Sequence, residues 1–257
     1  MTIDLDRIAQ RLDNAARTAQ ATGQITAEHP DFTLADAYAV QRRLIALRTG
    51  RGEALVGVKM GFTSRAKMVQ MGVSDMIWGR LTSGMLVEDG NSIRLRDYVH
   101  PRVEPEVAFL ISRPLSGRVT APQALAAVEA VAPALEIIDS RYQDFRFSLT
   151  DVVADNSSSS GFAVGPWRSA ATDLDNLGLV MAFDGRPQAF GSTAAILGHP
   201  LRSLVAAARV VAEAGETLQP GDIVLAGGAT AASALHAGIH VSLEVESLGR
   251  CGFHVEE

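Results

Sequence analysis

The stretch Val103-Glu104-Pro105-Glu106-Val107 constrains the fold more than any other part of this chain. Residues 103–111 alternate as a strand does. Val103, Val107, Phe109 and Ile111 share one face, and Glu104, Glu106, Ala108 and Leu110 share the other. Two carboxylates therefore project side by side from a strand that is otherwise apolar. Like charges this close repel unless they are protonated, solvated or shared by a cation. An exposed, solvated strand face is the alternative, and Pro105 inside the strand implies an edge position or a bulge.

A third carboxylate has a similar setting. Glu136 lies in Ala134-Leu135-Glu136-Ile137-Ile138, read as a buried strand over Ala132–Asp139. A buried carboxylate needs a partner or a metal; a salt bridge to Arg141 or Arg102 is the alternative here. Glu104, Glu106 and Glu136 come with no matching His or Cys set, which favours a hard, oxygen-preferring cation, Mg²⁺ or Mn²⁺, over zinc. The single cysteine, Cys251, excludes an internal disulfide and a cysteine-based zinc site. It also makes a reducing cytoplasm the expected compartment.

Around these carboxylates the chain reads as α+β. The helical segment 1–52 carries one helix with Leu5, Ile8, Leu12, Ala15 and Ala19 on a single face. A second helix starts at Thr33, with Asp36 completing a capping box. The body, 53–257, is largely β. Strands are expected over Ala54–Met60, Leu179–Phe183, Pro187–Gly191, Asp222–Ala226, Ile239–Glu246 and Arg250–Val255. Asp184-Gly185 and Leu248-Gly249 mark hairpins. Helices are expected over Ser64–Met71, over Thr120–Val131 behind a Thr-x-x-Gln cap, and from Pro200 to a stop at Gly215. No repeat or long linker divides the chain. No apolar run of the ~18 residues that a membrane span needs is read from it. A net charge of −6 argues against a nucleic-acid partner.

Of 23 basic residues only Lys59 and Lys67 are lysine. Arginine serves everywhere else, so an ammonium at these two places is a candidate for chemistry that a guanidinium cannot imitate. Lys67, on the expected helix, is read as a surface residue. Gly-x-Ser-x-Gly is absent, Cys251 sits in a terminal hairpin, and the six histidines form no ligand or catalytic set, so nucleophilic catalysis has little support.

Five stretches carry a resemblance: VGVKMGFTSRAKMVQMGV (56–73), HPRVEPEVAFLI (100–111), PALEIIDSRYQDFRF (133–147), VVADNSSSSGFAVG (152–165) and LQPGDIVLAGGATAA (218–232). In order and spacing they resemble the 2-keto-4-pentenoate hydratase / 4-oxalocrotonate decarboxylase family of the fumarylacetoacetate hydrolase superfamily. The resemblance implies a mixed β-sheet roll preceded by helices. It implies a divalent metal on Glu104, Glu106 and Glu136, and a lysine matching Lys59. The implied substrates are 2-oxo acids from meta-cleavage of aromatic compounds. GVKMGFTS and ADNSSSS look more like the decarboxylase branch, acting on a 2-oxo dicarboxylic acid, than the hydratase branch. A C–C hydrolase and a non-catalytic partner subunit are the other readings. Asp155, Ser159, Ser160, Arg65 and Gly227 are candidates for contact with substrate, Arg141 a weaker one. A homo-oligomer and a complex with a hydratase that consumes the dienol product are expected, with neither nucleic acid nor membrane.

Overall fold

The computed structural model describes residues 3–64, Met68 and residues 76–257. In chain order it contains α1 (Leu5–Thr18), α2 (Ile25–Glu28), α3 (Leu34–Gly50), β1 (Leu55–Gly61), β2 (Ile77–Thr82), β3 (Leu86–Val87), β4 (Ser92–Arg94), β5 (Arg102–Ile111) and α4 (Ala121–Leu125). It continues with β6 (Val128–Ile138), α5 (Leu149–Ala154), β7 (Ser159–Val164), β8 (Arg168–Ser169), β9 (Gly178–Phe183), β10 (Arg186–Ser192), α6 (Pro200–Glu213), β11 (Ile223–Leu225), β12 (Ser233–Ala234), β13 (His240–Val245) and β14 (Gly249–Glu256). This is the expected α+β order, helices first.

The start of α3 is fixed by the capping box that the sequence predicts. Thr33 accepts from the Asp36 amide, and the Asp36 carboxylate accepts from the Thr33 amide. Ile8, Leu12, Ile25, Phe32, Val40 and Leu44 form the helical core, shared with Tyr142 and Val153 of the body. Pro200 is the first residue of α6, and Gly215 follows its end with φ +78°. By length and composition alone the stretch Thr193–Glu213 passes for a membrane span, although His199, Arg202 and Arg209 interrupt it. As folded, α6 is a core helix that buries Leu204, Ala207 and Val211 and packs on α4 and β1.

The expected helix over Thr120–Val131 is much shorter. The Thr120/Gln123 cap forms, but α4 ends at Leu125 and β6 already begins at Val128. Pairing decides this: Val128, Ala130 and Val131 lie opposite Ile111, Leu110 and Phe109 of β5, which outweighs local helix preference. The helix expected over Ser64–Met71 lies for the most part outside the described residues.

The larger sheet runs β2-β1-β11-β5-β6-β7-β3, with β12 added to β5 and β8 to β6. It is mixed: β1 and β11 are parallel, as are β3 and β7, and the other neighbours are antiparallel. It curls until β2 approaches the turn before β7. The second sheet, β10-β9-β13-β14-β4, packs against its outside, and the main core lies between them. Inside the curl is a small apolar floor of Leu81, Met85, Ala108, Ala132, Ala134, Phe162 and Leu225. The alanines leave room at one end, where the charged residues collect.

Candidate metal centre

Glu104 lies directly opposite Glu136 across β5 and β6, and cross-strand partners project from the same face. Glu106, two residues on, shares that face. Lys59 reaches it from β1, which is level with Leu225 of β11 and through it with Ala108 of β5. Pro105 falls between the β12 partners (102–103) and the β11 partners (108–110) of β5, which resolves the expected edge or bulge as a gap in pairing.

The four side chains are withdrawn from water, with relative exposures of 4% for Lys59, 8% for Glu104, and 0% for Glu106 and Glu136. The solvated-face alternative is excluded. One carboxylate oxygen from each glutamate lies within 4.8 Å of the others. Lys59 Nζ stands 2.9 Å from Glu136 Oε2 and donates to the Ser157 carbonyl at 3.1 Å. Glu136 therefore does have an ion-pair partner. It is Lys59 rather than Arg141 or Arg102, whose guanidinium groups lie on Asp155 and over Phe145.

Burial pushes the Glu106 carboxyl well above its ordinary range, and Glu136 beside it adds to the effect. Burial raises Glu136 too, against the pull of Lys59. Burial alone would lower Lys59, but Glu136, Glu106 and Glu104 outweigh it and hold the ammonium above its usual value. Glu106 Oε1 and Glu136 Oε1 have no hydrogen-bond partner among the described residues. Orphaned, buried, all-oxygen donors facing one point fit a hard divalent cation, and a cation there would relieve both the desolvation and the mutual repulsion.

Two glycines make the centre possible. Gly227 donates its N–H to Glu106 Oε2 at 2.6 Å and has φ +104°. A Cβ there would stand 2.1 Å from Thr63 Oγ1, and one on Gly228 would stand 2.9 Å from the Glu104 carboxylate. Gly227→Ala is expected to cost about 1–3 kcal/mol in backbone strain alone. It should weaken divalent binding by displacing the Glu106 donor. Thermal unfolding and Mn²⁺ titration of the variant check both effects.

The remaining candidates are placed as follows. Ser159 is buried at the start of β7, opposite Ile138. Asp155 holds Arg141: its oxygens accept from the Arg141 amide at 2.9 Å and from Nε at 2.5 Å. Burial pushes the Asp155 carboxyl up to about 6 against the opposing pull of Arg141. Ser160 accepts from the same guanidinium. Gly227 donates its N–H to Glu106. Arg65 and Lys67 lie outside the described residues. A cavity of about 370 Å³ runs from Arg48 and Arg51 to Tyr98, Arg141 and Ser160, but no glutamate of the centre lines it. Asn156, Ser157, Gly79 and Arg80 were not singled out for the site individually. Their roles depend on backbone contacts across the curl, which leave no spacing signal.

Residues 55–256 match the family model described as the C-terminal part of fumarylacetoacetate hydrolase. A 4-oxalocrotonate decarboxylase of Pseudomonas sp. is 61% identical over 249 residues, 97% of each chain. A 2-hydroxyhexa-2,4-dienoate hydratase of Comamonas testosteroni is 33% identical over 96% of each. Among solved structures, 4-oxalocrotonate decarboxylase from Pseudomonas putida G7, complexed with magnesium and adipate, superposes with a TM-score of 0.95 at 36% identity, covering 99% of both chains. On this footing the chain belongs to the fumarylacetoacetate hydrolase family, in the branch that holds the meta-cleavage hydratases and decarboxylases.

Proposed function

We propose that this chain is a divalent-cation-dependent decarboxylase of 4-oxalocrotonate (2-oxo-3-hexenedioate), releasing CO₂ and 2-hydroxypenta-2,4-dienoate. The observation that carries the reading is the buried Glu104/Glu106/Glu136 centre with Lys59 against it. The 61% identity to a decarboxylase across nearly the whole chain selects the reaction within the branch. Mg²⁺ is the proposed ion, with Mn²⁺ as a substitute. The structural relative holds magnesium with adipate, a six-carbon diacid of the same chain length as the proposed substrate.

4-Oxalocrotonate is a vinylogous β-keto acid. As the C–C bond to the far carboxylate breaks, its electron pair moves through the C3–C4 double bond to the 2-oxo oxygen, and CO₂ departs. A divalent cation on Glu104, Glu106 and Glu136 would supply Lewis acidity at the 2-oxo acid end. The chain's own contribution is a fixed ammonium. Among the described residues, two of the three Lys59 donors are engaged, by Glu136 and Ser157. The third is available to an oxygen that gains charge only as the bond breaks, and stabilisation of that kind accelerates the step itself. The apolar floor of Phe162, Leu225 and Ala108 keeps water from beneath the site.

Two further parts belong to the same reading. Hydratases among the relatives support a complex that passes on the dienol. Phe190, exposed on the edge strand β10, supports self-association. The single, buried Cys251 is compatible with the expected reducing cytoplasm.

A paired assay tests the function. Purified protein receives 4-oxalocrotonate in one cuvette and 2-hydroxypenta-2,4-dienoate in another, each with Mg²⁺ and then with EDTA. Metal-dependent CO₂ release from the first without hydration in the second is expected. Hydration without CO₂ makes the chain a hydratase. Silence in both points to another 2-oxo acid or to a non-catalytic subunit.

A further inference from the structure

A lysine ammonium on a flexible four-carbon stem points where its acceptors hold it. Of the two acceptors of Lys59, Glu136 is fixed by the ladder of β6. The other, the Ser157 carbonyl, lies outside any strand. It belongs to a buried turn in which Asn156, Ser157 and Ser158 all have left-handed φ, +50°, +53° and +60°. L-residues resist this conformation, and a run of such residues persists only where its surroundings impose it.

The imposing contact is the Asn156 side chain. Its Oδ1 accepts from the Arg80 N–H at 2.8 Å and its Nδ2 donates to the Arg80 carbonyl at 2.9 Å, so it pairs with β2 as a neighbouring strand would. The approach is close enough to require glycine beside it: a Cβ on Gly79 would stand 2.4 Å from the Asn156 carbonyl oxygen. Ser157 Oγ adds a bond to the Trp78 carbonyl at 2.8 Å. β2 is a firm support. Arg80 is buried, bonded to Gln41 and Glu216, with its guanidinium 4.4 Å over the Trp78 ring.

We propose that Asn156 is the positioning residue of Lys59: by hanging the strained turn from β2, it aims the Ser157 carbonyl at the ammonium and so fixes the donor that meets the reacting oxygen. The kinetic consequence rests on the proposed decarboxylation, whereas the order of the ammonium rests on the geometry alone.

The chain has only two lysines, so ¹⁵N-lysine labelling gives two ammonium signals, which Lys67→Arg assigns. The Lys59 protons are expected to exchange slowly with water in the wild type and rapidly in Asn156→Ala and Asn156→Gly. Glycine accepts left-handed φ, so the second variant separates the lost side-chain bonds from backbone strain. In both variants kcat should fall about 10²-fold, the scale of a misplacement near 1 Å. KM and Mn²⁺ binding should be nearly unchanged. Ser157→Ala keeps the carbonyl but loses the Trp78 anchor; a smaller change in the same direction is expected, and this variant decides the matter if neither Asn156 variant folds. Unchanged exchange and kcat in a folded Asn156→Gly, or a kcat loss that only tracks lost Mn²⁺ binding, overturns the role. A wild type inactive on 4-oxalocrotonate overturns the reaction assignment, while the exchange measurement still decides the role of Asn156.

Discussion

Glu106→Gln is expected to lower metal-dependent turnover by about 10²–10³-fold while the fold persists. The amide fills the same space and still accepts from Gly227, so the backbone around the centre keeps its anchor. What disappears is one of the three charges proposed to hold the cation, and the loss of a charge-stabilising element of this kind costs about 10²–10³ in rate. Stability should move the other way. In the metal-free protein burial raises the Glu106 carboxyl, so just above the ordinary glutamate value the native state holds a proton that the unfolded state releases. A raised carboxyl therefore erodes stability as pH rises through the ordinary glutamate value towards the native one. Metal-free wild type should lose stability for this reason over the pH range above the ordinary glutamate value. Metal-free Glu106→Gln should lose less over the same range and be the more stable of the two at its upper end. Thermal unfolding with EDTA across that range, beside steady-state rates with Mg²⁺, checks both directions. A variant with full activity would remove Glu106 from the centre.

Lys59→Met separates the ammonium from the metal. Methionine approximates the stem and removes the charge, leaving Glu136 without its ion-pair partner. Three carboxylates without a competing cation should hold Mn²⁺ at least as well as in the wild type. The rate should nevertheless fall about 10²–10³-fold, the cost of a donor aimed at charge developing in the transition state. Lys59→Arg should not rescue it. A planar guanidinium cannot occupy the point between Glu136 and the Ser157 carbonyl that an ammonium fills. Retained Mn²⁺ affinity with lost kcat is the expected pattern. Joint loss of both would make Lys59 a structural counter-ion.

The carboxylates were legible because strand alternation is local. Glu104 and Glu106 sit two apart, and Glu136 stands alone among aliphatic neighbours, so their faces and burial follow from period and composition. Capping boxes and hairpins were legible for the same reason, as Thr33/Asp36 and Asp184-Gly185 show. The partner of Glu136 was not, because Lys59 reaches it through the order β1-β11-β5, which joins segments far apart in sequence. The start of β6 was misread where an alanine-rich stretch follows a true helix cap and only pairing with β5 reveals the strand. Ser159 and Ser160 stand out in sequence for their side chains, yet the contact that their loop makes with Lys59 is through the backbone carbonyl of Ser157. The Arg141–Asp155 ion pair is not legible either, because its partners lie across a turn rather than at a readable spacing.

The claim that Glu104, Glu106 and Glu136 form a divalent-cation centre is tested most directly by anomalous diffraction from crystals soaked in Mn²⁺. The account predicts one strong peak bounded by an oxygen from each of the three carboxylates, absent from Glu106→Gln crystals treated alike. No peak at the carboxylates, or a peak elsewhere in a protein whose activity still requires the metal, would contradict it.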